Sequence, residues 1–135
     1  MFVQFLGIET KGKYEFVHEP KPPQIEKAIR ALDGDKHTYV VLEASPATHL
    51  TVGGGLKEQC VLAVVIENKQ FFRLINPAPL ENPGEHMRMK VAASEGVYTR
   101  EMLISKDQAI AVAKPFADKG KFDDSLQWKV EQLEG

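Results

Sequence analysis

His49, the run Gly53-Gly54-Gly55 and Cys60 gather, in one short stretch, the residue types most often recruited for chemistry. A glycine-rich turn exposes backbone N–H groups that could cradle a phosphate, and a thiol beside an imidazole could act as a nucleophile–base pair. Neither pattern is complete. A phosphate loop needs a lysine and a Ser/Thr at fixed spacing opening a helix, whereas Leu56-Lys57-Glu58-Gln59 leads into a strand. A flexible β-turn or edge bulge explains the glycines better. Cys60 starts the most apolar strand of the chain, where burial raises a thiol's pKa and makes it inert. No local signature joins it to His18, His37, His49 or His86. The histidines are scattered, none at the i, i+4 spacing of a helical metal site, and there is no second cysteine. Asp123-Asp124 are adjacent on a loop, whereas acid–base catalysis needs carboxyls in differing environments across a cleft. A solvated acidic turn is expected there, and no catalytic residue, metal ligand or cofactor site is assigned.

The elements that would position any site belong to one domain spanning residues 1–135. A hydrophobic share of 43% with 27% charged residues is that of a soluble globular protein. A net charge of −2 is too balanced to mark a direct nucleic-acid binder. The single cysteine excludes an internal disulfide and fits a reducing compartment. The N-terminus lacks a basic start, and Glu9 interrupts its apolar run, so no secretory signal is expected. No apolar stretch approaches the ~20 residues that span a bilayer. A cytoplasmic protein without a membrane partner is the expectation.

Residues 2–8 suggest a first strand and Lys11-Gly12-Lys13 a turn. Pro22-Pro23 opens a helix whose Ile25, Ala28, Ile29 and Leu32 share one face, ending at Asp33-Gly34-Asp35. A β-rich middle follows: 38–43, 49–52, and 60–66, the last apolar enough to be covered on both faces. Asn68-Lys69 turns the chain into 71–75. Segments 87–91 and 97–104 read as two further strands. Ser105 and Gln108 form a capping box for a second helix, with Ile110, Ala113, Phe116 and Ala117 as its buried stripe and Gly120 as its stop. Pro115 inside that helix removes the bond to the Ala111 carbonyl and predicts a kink. Leu126, Trp128 and Val130 would share the core-facing side of a terminal strand, with Trp128 locking the C-terminus against the second helix. The fold class expected is α+β: a mostly antiparallel sheet of about six to seven strands with two helices on one side.

Partner-binding candidates therefore fall on loops. The proline-stiffened segment 76–86 carries Glu81, Glu85 and His86, and stiffening reduces the ordering entropy lost on binding. A second acidic region contains Asp118, Asp123 and Asp124, diluted by Lys119 and Lys121.

The stretch Ile104-Ser105-Lys106-Asp107-Gln108-Ala109-Ile110, with Ala113-Lys114-Pro115-Phe116 and Leu126-Gln127-Trp128, resembles the closing motif of a bacterial immunity protein family, the first-numbered one of polymorphic toxin systems. Members end in a capped helix, a small linker and an L-x-W strand. Val52-Gly53-Gly54-Gly55 and Asn76-Pro77 also sit where such proteins carry a glycine turn and an Asn-Pro step. Pro115 departs from the pattern, standing where a helix former or aromatic is common, and the loop 76–86 is longer and richer in proline. The resemblance covers under a quarter of the chain. It implies a non-enzymatic protein, monomer or weak homodimer, that binds a cognate toxin domain, such as a nucleic-acid deaminase or nuclease, and blocks its active site. Toxins of that kind present basic clefts, which carboxylates such as Glu81, Glu85, Asp123 and Asp124 would complement. The alternatives are a small-molecule-binding or thiol-dependent enzymatic domain, and a secretion adaptor or chaperone for an effector.

Overall fold

The chain is described by a computed structural model covering residues 1–76, 86–122 and 126–132. Strands β1 (Phe5–Thr10) and β2 (Lys13–His18) form a hairpin, followed by helix α1 (Pro22–Arg30). Strands β3 (Tyr39–Ser45), β4 (Thr48–Gly54), β5 (Gln59–Ile66) and β6 (Gln70–Leu74) then form a meander. A second hairpin, β7 (His86–Val91) and β8 (Ser94–Thr99), leads through a short 3₁₀ turn to β9 (Ile104–Ser105), helix α2 (Lys106–Lys119) and β10 (Trp128–Gln132). The main sheet is ordered β10-β6-β5-β4-β3-β1-β2, antiparallel throughout, with β9 added to one end of β5. The α+β class is as expected.

Three expectations are corrected. Residues 13–18 are a strand, although the sequence reading assigned none there. Segment 97–104 is not one strand: β8 ends at Thr99, and Arg100–Met102 turns before β9 begins. The β7–β8 hairpin is also not part of the main sheet but a separate two-stranded layer.

Alternation along each strand decides which face a residue serves. On one face Leu6, Val40, Leu42, Leu50, Val52, Cys60, Leu62 and Val64 meet Ile25, Ile29 and Leu32 from α1 and its end, and Ala109, Ile110, Ala113 and Phe116 from α2. On the other face Val61 joins Met89 and Leu103 in a smaller cluster beneath the β7–β8 hairpin. The apolar run of β5 is thus covered on both sides, as its composition predicts.

The helix ends follow their local chemistry. Ser105 Oγ accepts from Gln108 N at 3.0 Å, and Gln108 Oε1 accepts from Ser105 N at 2.8 Å. Ser105→Ala is expected to lower the unfolding free energy by about 1 kcal/mol in a denaturant titration. The helix continues through Pro115. Pro115 and Ala111 both face solvent, so the carbonyl that proline leaves without a donor lies on the exposed side of the helix. Lys106, nearly buried at the start of α2, donates from Nζ to the Arg30 carbonyl at 2.8 Å and pairs with Glu58 at 3.2 Å. A cation thereby satisfies the C-terminal carbonyl of α1 and ties the two helices together.

At the C-terminus, Trp128 stands opposite Leu74 and packs edge-on against Phe122 at 5.0 Å, which in turn meets Phe72 at 5.2 Å. Leu126 and Trp128 are half-buried against the core, as the sequence suggests. Val130 is not: it is 50% exposed, beyond the reach of α2.

Candidate functional site

The face of the sheet away from the helices has two parts. At the β1–β2 end, register places Phe5 beside His18, Gly7 beside Phe16 and Glu9 beside Tyr14. Because Leu6 points into the helix-side core, these residues all project to the opposite face. Phe5 is 39% exposed, Tyr14 42% and Phe16 60%. Their rings form two groups on this face, Phe5 with His18 and Phe16 with Tyr14 and Tyr39. Phe5 lies 5.0 Å from His18, Tyr14 stacks on Phe16 at 6.2 Å, and Tyr14 meets Tyr39 edge-on at 6.4 Å. Single exposed apolar residues are ordinary, but an aromatic surface on a rigid sheet is the kind of feature that marks a contact site.

At the other end, the β8 strand and the turn after it stand over β6 and β10 and leave a cleft of about 440 Å³. Its walls are Phe71, Val97, Tyr98 and Met102, and its polar groups are Arg73, Lys129 and Glu131. The strand register sets Lys129 opposite Arg73 and Glu131 opposite Phe71. An adjoining hollow of about 180 Å³ shares Phe71, Arg73 and Tyr98 and runs under the hairpin toward Val61 and Val91.

Between the two parts the hairpin is anchored by a buried polar cluster. Glu9 is fully buried on β1, the strand next to the sheet edge. Its carboxylate accepts from Thr38 N at 2.9 Å, from Thr38 Oγ1 at 2.5 Å and from Gly12 N. Burial pushes its pKa up, but the Gly12 and Thr38 donors and the nearby His37 outweigh this and hold it below the usual glutamate range. Thr38 Oγ1 in turn accepts from Ala93 N at 2.8 Å, at the tip of the β7–β8 hairpin. Both tip residues, Ala92 (φ 54°) and Ala93 (φ 63°), are left-handed, a conformation that alanine adopts only when held.

The residues singled out in sequence for chemistry are kept apart. Cys60 faces the helix-side core with no exposure, and burial pushes its thiol up to about 12 despite the nearby Lys106. His49 stands between Glu43 and Val65 on the opposite face, so the sheet separates imidazole from thiol. Burial lowers the His49 pKa, with Glu43 acting weakly against it. The glycines end β4, a central strand and not an edge. They are required by close packing: side chains of β7 lie directly over Gly53 and Gly54, and the Leu32 backbone abuts Gly55. Among the described residues no three His, Cys, Asp or Glu side chains converge as a metal site would require.

Of the predicted partner contacts, Glu81, Glu85, Asp123 and Asp124 lie outside the described residues. His86 opens β7, paired with Thr99. The aromatic array and the Arg73 cleft were not singled out in sequence. The available signal was the alternation of Tyr14, Phe16 and His18 beside a Lys-Gly turn, which marks a hairpin with one aromatic face.

No protein-family model matches the chain, and no curated protein matches it. No described helix is long and apolar enough to cross a membrane.

Proposed function

We propose that this chain is an immunity-type inhibitor, a binding protein that neutralises a cognate toxin domain by covering its active site. The exposed array of Phe5, Tyr14 and Phe16 supports this reading most directly. Aromatic side chains on a sheet lose little conformational entropy on docking and dominate protein interfaces when desolvated. The resemblance of the closing helix and strand supports the family, and the separation of Cys60 from His49 argues against a thiol enzyme built on that pair. We further propose that the acidic residues Glu81, Glu85, Asp123 and Asp124 guide a basic toxin domain by charge. The cellular compartment proposed is the cytoplasm.

The test is co-expression with the toxic C-terminal domain encoded by a neighbouring reading frame. The chain should restore survival, and a Tyr14→Asp/Phe16→Asp variant should bind the toxin domain at least roughly thirtyfold more weakly by calorimetry, the scale of an aromatic hot spot. Because Tyr14 stands opposite Glu9, the melting temperature of the variant is measured alongside, and affinity is compared only where both proteins are fully folded. Full protection and unchanged affinity in the variant would exclude this face. Loss of toxin export without loss of protection would instead favour a secretion adaptor.

A further inference from the structure

We propose that the cleft between β6, β10 and β8 is an anchor pocket for a carboxylate carried by the protein partner beside an apolar side chain. The proposal deepens the protein-binding reading above by naming the chemistry of one contact.

Arg73 carries the argument. Its guanidinium lies 5.2 Å from the Phe71 ring centroid and 3.9 Å from Met102 Sδ, and among the described residues it meets no carboxylate. A half-buried guanidinium usually uses its planar fork on a carboxylate or on carbonyls; here a ring face and a thioether hold it flat and leave the fork unspent. The arrangement is unfavourable for the fold itself. Lys129 stands directly opposite Arg73 across the strand pair, and like charges in that position destabilise a sheet. Glu131 relieves this only in part, since its carboxylate reaches Lys129 at 3.8 Å and not Arg73. Among the described residues two cations against one carboxylate leave the cleft net positive, in a chain whose total charge is −2.

The shape completes the specificity. Beside Arg73 the adjoining hollow of about 180 Å³ is lined mainly by apolar groups, with Val61 and Val91 at its floor. A glutamate or aspartate could form two parallel hydrogen bonds with the guanidinium while its neighbour fills that hollow. Arginine in an aromatic-walled pocket is a recurrent interface hot spot for that reason.

The experiment follows the Arg73 side-chain Nε–H signal by NMR while the full chain is titrated with two peptides, N-acetyl-Phe-Glu-Phe-amide and N-acetyl-Phe-Gln-Phe-amide. The glutamate peptide should move that signal and bind at least about tenfold more tightly than the glutamine peptide. Arg73→Met should abolish the difference, and Glu131→Gln should tighten the glutamate peptide by removing a competing charge. Equal binding of the two peptides, failure of the glutamate peptide to move the Arg73 signal, or weaker binding by Glu131→Gln would overturn the proposal. The peptide arm needs no toxin. Its failure with toxin binding intact removes only the cleft, and the converse result removes only the immunity reading.

Discussion

Glu9→Gln is expected to lower the unfolding free energy by about 2–3 kcal/mol at pH 7, more than any surface substitution in this chain. The carboxylate uses both oxygens: one takes the Thr38 N–H and hydroxyl, the other the Gly12 N–H. Glutamine keeps the shape but turns one acceptor into a donor facing a donor, at a side chain with no exposed surface. The defect should spread to the β7–β8 hairpin. Thr38 Oγ1, released from Glu9, no longer holds its hydroxyl oriented to accept from Ala93 N, and the left-handed tip loses its tether. Denaturant unfolding would measure the first effect, and amide exchange at residues 87–99 the second.

The same group predicts an acid limb. Its folded pKa is held below the ordinary glutamate range, so the unfolded state binds the proton more readily. The stabilisation is therefore complete above the unfolded pKa, about 4.3, and is lost as pH falls through the folded value. Stability measured from pH 6 to pH 2 should fall more gently in Glu9→Gln than in the parent. An identical slope in both would show that Glu9 is not held ionised by these donors.

How much of this was legible in the sequence depends on the range of the interaction. The stripe Ile25, Ala28, Ile29 and the Ser105–Gln108 capping box are local patterns, and the structure reproduces both, whereas the helix ends at Arg30 and Leu32 reaches the same core from beyond it. The double-sided burial of β5 could be inferred because its composition alone excludes a solvated face. Strand β2 lies at an edge with almost nothing buried, so no run of apolar residues announces it. The position of the β7–β8 hairpin depends on tertiary contacts, Val91 over Gly53 and Met89 over Gly54, that no local window contains. The site follows the same rule. Arg73 in Phe-Phe-Arg-Leu reads as the ordinary solvent-facing member of a strand, and only the register with Lys129 reveals two opposed cations. Glu9 reads as a charge interrupting an apolar run; its burial depends on donors from Gly12 and Thr38 that are recognisable only after folding.

The glycines at the end of β4 supply the other large effect and separate two kinds of obstacle. At Gly55 the backbone has φ +97°, and an added methyl would lie 2.5 Å from the Leu32 carbonyl carbon and 2.6 Å from its oxygen. The obstacle is main chain at the end of α1, which cannot rotate away. Gly55→Ala should therefore cost about 3 kcal/mol or more, combining left-handed strain with overpacking. At Gly53 the φ is ordinary and the obstacle is a side chain, Val91 Cγ1 of the hairpin. Gly53→Ala should cost less, about 1–3 kcal/mol, and should act by lifting the hairpin from the sheet. Truncating Val91 to alanine makes room for that methyl, so the double variant Gly53→Ala/Val91→Ala should be more stable than the sum of the single costs predicts. No truncation of Leu32 should rescue Gly55→Ala in the same way, because the closest atoms there belong to the backbone. Thermal unfolding of these variants would settle the comparison, and additivity at the Gly53–Val91 pair would refute the docking contact. That contact also matters for binding. The hairpin it seats carries Val97 and Tyr98, the wall of the Arg73 cleft, so Gly53→Ala should weaken the glutamate peptide as well as the fold, and Val91→Ala should restore both together.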